Sequence, residues 1–152
     1  MKLIISLLIP LVTGFVSGFF TSSGVKGWYA TANKPSFNPP GWIFAPVWTF
    51  LYILMGIALY LVWKSEPAGK WKKKALTAFA VQMVLNFFWS FIFFYAQEPG
   101  WAFAEIIAMW LMIALTIFYF GKISRTAALL LVPYIAWVSF ASVLNYFIWQ
   151  MN

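Results

Sequence analysis

The sequence predicts an all-α integral membrane protein, a bundle of five transmembrane helices with a Pro/Trp-rich lid loop between the first and second. Three observations lead there. Of its 152 residues, 64% are hydrophobic and 9% charged, against about 25% charged in an ordinary soluble domain, and the mean hydropathy is +0.85. Five apolar runs, at 3–23, 43–63, 75–96, 101–120 and 127–149, reach the roughly 20 residues that a helix needs to cross a bilayer. Between the first two runs, Pro35, Pro39, Pro40 and Pro46 alternate with five aromatic rings ahead of Trp48. Proline restricts the unfolded chain and rings bury area, so this stretch reads as an ordered lid over a pocket. The whole of 1–152 forms one transmembrane domain.

The first run follows Lys2 but is long, lacks an A-x-A cleavage site and precedes four more spans. It is therefore expected to stay in the mature protein. Within it Gly14 and Gly18 form a G-x-x-x-G pair beside Ser17, which admits another helix close to the backbone, either inside the chain or at a homodimer seam. Pro10 and Pro133 are expected to kink their helices. Lys2, Lys64, Lys70, Lys72, Lys73, Lys74, Lys122 and Arg125 put eight basic residues on one side, against Lys26 and Lys34 on the other. The positive-inside rule then makes the N-terminus cytoplasmic and the C-terminus extracytoplasmic, in a multi-pass protein of the inner or plasma membrane. The Lys70 to Lys74 cluster reads first as this topology signal and second as a contact for anionic membrane lipid.

Cysteine and histidine are both absent. Disulfides, zinc sites, thiolate nucleophiles, His-based triads and a His or Cys ligand to haem iron are excluded with them, so no metal site is expected. The formal charge of +7 flanks apolar spans, so topology accounts for it and no nucleic-acid partner is expected. Glu105, the one carboxylate inside a span, lies a turn from the start of the fourth helix, where the helix dipole favours it.

Polar groups inside the spans select the bundle interior, because an amide in hydrocarbon is costly unless paired. Gln82, Asn86, Trp89 or Ser90, and Phe93 recur at helical spacing in the third span, and Tyr134, Trp137, Ala141, Leu144 and Asn145 do so in the fifth. Gln82 and Asn145 divide evenly between bundle-holding hydrogen bonds and ligand contact; Asn86 beside Trp89 leans to the pocket. Trp42, Trp63, Trp71, Trp101 and Trp149 sit at span ends, as membrane-belt tryptophans do. Trp48, Trp89, Trp110 and Trp137 lie deeper, and Trp110 reads as packing. With the orientation above, these groups meet in the outer half of the bilayer under the 28–42 loop, forming a concave and mostly apolar site.

The residues Trp28, Tyr29, Lys34, Pro35, Pro39, Pro40, Phe44, Pro46, Val47, Trp48, Leu51, Tyr52, Met55 and Gly56 resemble the signature of the TspO/MBR family, the tryptophan-rich sensory and translocator proteins. Gln82, Leu85, Asn86, Trp89, Ser90, Phe93 and Phe94 continue the match, as do Pro133, Tyr134, Trp137, Phe140, Ala141, Leu144 and Asn145. The resemblance, to a bacterial member, implies binding of protoporphyrin IX and related porphyrins, and of isoquinoline and benzodiazepine-type ligands. It also implies light- and oxygen-dependent porphyrin degradation with no required cofactor. The ligand-binding residues it carries over are Tyr29, Pro39, Phe44, Ala45, Trp48, Asn86, Trp101, Ala104, Trp137, Ala141 and Leu144; Trp89 joins them as a stacking surface. Trp48 and Trp137 are the candidate photo-oxidative pair, and Lys26 and Lys34 the candidate partners of propionates. The cholesterol-linked members carry an L-x-x-Y-x-x-R type motif late in the fifth helix. Here Leu144 is followed by Phe147 and Gln150, so sterol handling is not carried over. A transporter or a regulatory binding protein without catalysis is the rival reading.

The orientation is tested by a topology reporter fused after Asn152, which is expected to read out as extracytoplasmic. A cytoplasmic readout reverses the two ends of the bundle and moves the site to the inner half.

Overall fold

The structure, a computed structural model, describes residues 1–65 and 69–152, with the side chains of Phe20, 22–26, Trp28 and Gly41 outside the description. The side chains of Lys26, expected near propionates, and of Trp28, part of the family signature, therefore lie outside the described residues. The elements are α1 (Lys2–Lys26), α2 (Trp28–Thr31), α3 (Phe44–Lys64), α4 (Lys70–Ser90), α5 (Pro99–Gly121), α6 (Arg125–Leu130) and α7 (Val132–Met151). A single 3-10 turn, Gly41–Ile43, leads into α3, and a π-helical segment, Phe91–Tyr95, continues α4. No strand occurs among the described residues.

Among the described residues five helical stretches are long and apolar enough to cross a membrane: Lys2–Phe19, Phe44–Lys64, Lys70–Tyr95, Pro99–Gly121 and Arg125–Met151. The expected spans are all present, with shifted ends. Helix α4 begins five residues before the expected 75 because Lys70 to Lys74 form its first turns rather than a loop; long lysine side chains reach out of the membrane end while their stems stay helical. The fifth span is two helices with Leu131 at the junction. Pro133 removes an N–H that would have bonded back along the helix, and the chain breaks two residues ahead of it. Pro10, by contrast, lies inside an uninterrupted α1.

The helices close into a ring in which α1 packs on α3, α3 on α6, α6 and α7 on α5, α5 on α4, and α4 back on α1. Two glycines set how closely α1 approaches α3. A Cβ on Gly56 would lie 2.8 Å from the Leu7 Cα and 3.0 Å from the Ser6 carbonyl oxygen, so α1 and α3 touch backbone to backbone. A Cβ on Gly14 would meet the Tyr52 ring. Among the described residues nothing lies within 4 Å of the corresponding position on Gly18. The glycine pair therefore splits: Gly14 serves packing inside the chain, and Gly18 is open.

At the centre of the bundle four polar side chains from three helices are joined in one chain of hydrogen bonds, with only Gln82 Nε2 buried and without a partner in it among the described residues. The Tyr52 hydroxyl donates to Asn86 Oδ1 at 2.8 Å, Asn86 Nδ2 donates to the Tyr134 hydroxyl at 2.9 Å, and the Tyr134 hydroxyl donates to Gln82 Oε1 at 2.6 Å. All four are at least 94% buried. In hydrocarbon an amide without a partner is costly, which is why these residues face inward and why they define how α3, α4 and α7 rotate about their axes. Toward the loop end Trp89 Nε1 donates to Asn145 Oδ1 at 2.9 Å, and Asn145 Nδ2 donates to the Pro99 carbonyl at 2.8 Å, joining α4, α7 and the start of α5. Trp110 Nε1 donates to Ser139 Oγ at 2.8 Å, so it serves packing of α5 on α7.

Replacing Asn86 with Leu removes both central bonds and leaves two tyrosine hydroxyls short of a partner; unfolding in mixed micelles is expected to show a loss of about 2 kcal/mol. Gly56→Ala, which overpacks a backbone contact, is expected to cost about 1 to 3 kcal/mol in the same measurement. Gly18→Ala is expected to be neutral or slightly stabilising. Equal effects of the two alanines would refute the assignment of Gly56 as the close-approach residue.

Candidate functional site

Helix α3 packs closely on α6 at the lysine-bearing end, and at the loop end the space between α3 and α7 is filled by side chains. The helical spacing of Phe44, Trp48 and Tyr52 presents one aromatic stripe of α3 to that space, and Tyr134, Trp137, Phe140, Ala141 and Leu144 present the matching stripe of α7. Trp48 stacks on Tyr52 with centroids 5.6 Å apart and meets Tyr134 edge-on at 6.3 Å. Phe44 meets Trp137 edge-on at 6.5 Å, and Trp137 lies 5.5 Å from Phe140.

The third wall comes from α4 and its π-helical end. Trp89 stacks on Phe93 at 5.3 Å and meets Phe94 edge-on at 5.9 Å. A π turn carries one residue more than the α-helical ladder accommodates and is common at functional sites. Here it holds Phe93 and Phe94, adjacent in sequence, both inside the bundle at 2% and 4% exposure. Tyr29 is the roof: its ring packs on Phe44, Phe93 and Phe94 with centroids 6.1, 5.9 and 5.3 Å away.

The lid is fastened by hydrogen bonds rather than by apolar packing alone. The Tyr29 hydroxyl donates to Asn38 Oδ1 at 2.6 Å, and Lys34 Nζ donates to the carbonyls of Tyr29 and Ala32 at 2.6 and 3.1 Å. The same ammonium sits 4.8 Å from the Tyr29 ring centroid. Burial pushes the Tyr29 hydroxyl up to about 12, with the Asn38 bond partly opposing it, so at neutral pH this hydroxyl keeps its proton and remains a donor. Three bonds tie the lid to the end of α7: Asn33 N–H to Asn152 Oδ1 at 3.0 Å, Asn33 Nδ2 to the Met151 carbonyl at 3.1 Å, and Asn152 Nδ2 to the Asn33 carbonyl at 2.8 Å. Phe37 reaches from the lid onto Phe140 and Phe147 of α7.

The rings enclose about 20 Å³ of free space, lined by Tyr29, Phe44, Trp48, Trp89, Trp137, Ala141 and Leu144, together with Thr21, Phe93, Phe94, Phe140 and Asn145. That is room for about one water. The indole N–H of Trp137 is buried and has no hydrogen-bond partner among the described residues. An apolar, nearly filled site with one unused buried donor is suited to a flat aromatic ligand that brings its own acceptor and displaces rings on arrival.

Seven of the residues expected from the sequence thus come together around one space. Five do not line it. Asn86 lies beneath, inside the central tetrad, and reaches the site through Tyr52, on which Trp48 stacks. Pro39 lies in the lid, where its carbonyl accepts from Asn38 Nδ2 at 3.1 Å. Ala45 points out of the bundle. Trp101, 72% exposed, and Ala104 lie on the outer face of α5 in a groove shared with Glu98 and Glu105. Both Glu105 carboxylate oxygens are buried with no hydrogen-bond partner among the described residues. Phe93 and Asn145 carried a sequence signal, helical spacing, which for Asn145 admitted a packing role equally well; Phe94 and Phe140 stood in the matching stretches without being assigned to a site. Thr21, on α1, carried no signal at all.

The model of the TspO/MBR family matches residues 6–150 of this chain. The chain is 44% identical over 153 residues to the tryptophan-rich protein TspO of Archaeoglobus fulgidus, covering 100% of this chain and 97% of that protein. It is 40% identical over 148 residues to the translocator protein of Ovis aries, covering 95% and 86%, and 37% identical over 125 residues to the tryptophan-rich sensory protein of Cereibacter sphaeroides, covering 82% and 77%. Membership and these names support a membrane-embedded binding or sensing role. With five membrane-crossing helices, a signature rich in tryptophan and a family match over nearly its whole length, the chain belongs to the TspO/MBR family.

Proposed function

We propose that the chain binds protoporphyrin IX and related porphyrins between α3 and α7 beneath the lid, and promotes their light- and oxygen-dependent degradation. The observation that carries this reading is the pairing of Trp48 and Trp137 on opposite walls of one aromatic site, with the Trp137 indole N–H free of a protein partner. A metal-free macrocycle offers two large flat faces to such walls, and its carboxylates and ring nitrogens offer acceptors to buried donors. Isoquinoline and benzodiazepine-type ligands, with their fused aromatic rings, suit the same walls.

Binding requires opening. Sites for ligands of this size occupy about 300 to 1,000 Å³, against about 20 Å³ between the rings. The ring-filled seam between α3 and α7 is the part of the bundle that can widen without breaking the Gly56 contact or the central tetrad. Release of Asn33 from Asn152 frees the lid from α7. Lys34 keeps one ammonium hydrogen beyond the two given to carbonyls, and it is the described basic residue closest to where a propionate would emerge. With the lysine-bearing end cytoplasmic, the lid faces outward from the inner or plasma membrane, and a ligand arrives from that side. A sensor of porphyrin or of oxidative stress needs no more than this ligand-dependent closure; a second copy of the chain is a further partner under the same reading.

The reading separates stacking from chemistry. Phenylalanine supplies a flat face and lacks the oxidisable indole, so Trp48→Phe and Trp137→Phe are expected to lose on the order of 1 kcal/mol of porphyrin binding. Light-driven conversion should fall by much more than that loss of occupancy explains. Dissociation constants from fluorescence, beside bleaching rates at saturating protein under one light dose and a dark control, provide the test. Unchanged bleaching at saturation in both variants and in the double variant would reduce the activity to binding, and with it favour the rival reading of a regulatory or transport protein.

Opening has its own signature. Asn152→Ala removes two of the three bonds between lid and α7, and stopped-flow porphyrin quenching is expected to show association about fivefold faster, the effect of roughly 1 kcal/mol of lid closure. An unchanged association rate would show that the lid does not control access.

A further inference from the structure

Away from the aromatic site, a second concavity of about 570 Å³ opens on the outside of the bundle where α1, α3 and α4 meet. Ile9 and Thr13 of α1 form one wall, Leu59 and Trp63 of α3 the end, and the stretch of α4 from Leu76 to Phe88 the other wall. Several of its residues are exposed, among them Ile9 at 43%, Val84 at 55% and Phe88 at 47%, so the surface is available to the surrounding bilayer. Along α4 the groove runs over thirteen residues from Leu76 to Phe88, twelve steps or about 18 Å at 1.5 Å per residue. Half of a bilayer's hydrocarbon core is about 15 Å. The groove is thus as long as one acyl chain in one leaflet.

Its mouth is basic. Lys72 and Lys73 lie one turn before Leu76, and helical spacing places them on the line of the Leu76, Phe79 and Ala80 wall. Lys2 sits 5.6 Å from the Trp63 ring centroid, at the end wall. Lys72 is partly committed, donating to the Ser65 carbonyl at 2.8 Å; Lys73 is exposed and has no hydrogen-bond, ion-pair or ring contact among the described residues. The one acid in the sequence at this end is Glu66, outside the described residues. Apolar walls of leaflet length ending in ammonium groups match a molecule with a long chain and an anionic head, and no neutral lipid uses both halves of that match.

We infer that the groove between α1, α3 and α4 is a binding site for one anionic phospholipid of the leaflet at the lysine-bearing end, its acyl chain along α4 and its phosphate on Lys2 and Lys73. The inference is independent of the porphyrin reading, since it uses none of the same residues.

Native mass spectrometry of the full chain in detergent, with equal amounts of a palmitoyl-oleoyl phosphatidylglycerol and the matching phosphatidylcholine, tests it. One phosphatidylglycerol is expected to be retained in preference to phosphatidylcholine. Lys73→Gln and Lys2→Gln are each expected to cut that preference about fivefold, the effect of about 1 kcal/mol per basic residue near an anionic surface. Lys122→Gln, a basic residue of the same end that lies by Trp71 and Phe118, is expected to leave it unchanged. Ala80→Trp fills the groove and should abolish retention of both lipids; Val84→Trp does the same from another exposed position, so that one misfolding variant does not decide the matter. Equal retention of the two lipids by the unaltered chain, or equal effects of Lys122→Gln and Lys73→Gln, would overturn the inference. So would retention untouched by the groove-filling variants together with disulfide dimers of a Val84→Cys chain in phosphatidylglycerol bilayers, which would give the face to a second copy.

Discussion

The chain of hydrogen bonds from Tyr52 through Asn86 and Tyr134 to Gln82 is the constraint on which the rest depends. Inside a bilayer, apolar side chains gain little by choosing a neighbouring helix over lipid, so burial alone sets no rotation. A buried amide does set one, because any other face of the helix would strand it in hydrocarbon. Once α3, α4 and α7 are turned to complete this network, the residues one and two turns toward the loop end are placed with no further choice. These are Trp48 on α3, Trp89 on α4, and Trp137 and Ala141 on α7, the residues that line the aromatic site. The polar centre thus does for this bundle what a hydrophobic core does in water.

Helix α1 plays a different part. It is attached by surface shape, with Gly56 letting its backbone against α3 and Gly14 leaving room for the Tyr52 ring. Because Tyr52 is also a member of the polar network, the close approach of α1 and the alignment of the network are mechanically one feature. Much of the remaining surface of α1 is apolar and exposed, from Ile4 to Phe19, as suits a helix with lipid on most sides.

Most of the fold was legible in the sequence because the signal is physical and local: twenty-residue apolar runs have few other uses, and the runs found are the helices that form. What was less legible were the ends. The lysines of 70–74 read as loop by charge, yet a lysine stem is helix-compatible and only its head must reach water. The π-helical turn at Phe91–Tyr95 has no compositional mark, and Phe94, inside it, falls off the α-helical stripe that was counted to Phe93. The site was legible in the same proportion. Stripes on α3 and α7 could be counted at helical spacing, whereas α5 could not be rotated from its sequence. Trp101 and Ala104 stand on its outer face because Ala102, Ile106 and Met109 take the inner one. Asn86 illustrates a further limit: spacing located its depth and direction, but whether an amide serves a ligand or a neighbour depends on partners two helices away.

The clasp between lid and α7 bears on how the molecule is handled in the laboratory. Asn33 and Asn152, far apart in sequence, are joined by reciprocal side-chain and backbone hydrogen bonds, so the last residues of α7 are part of the roof over the aromatic site. An affinity tag or fluorescent fusion appended after Asn152 therefore sits on that clasp, and under the proposed reading a preparation carrying one would report ligand kinetics of a loosened lid. The same appendage before Lys2 lies at the opposite end of the bundle, where it leaves the clasp alone but crowds the basic mouth of the lipid-facing groove. For porphyrin work the tag belongs at the amino end; for lipid work it belongs at neither, and should be cleaved.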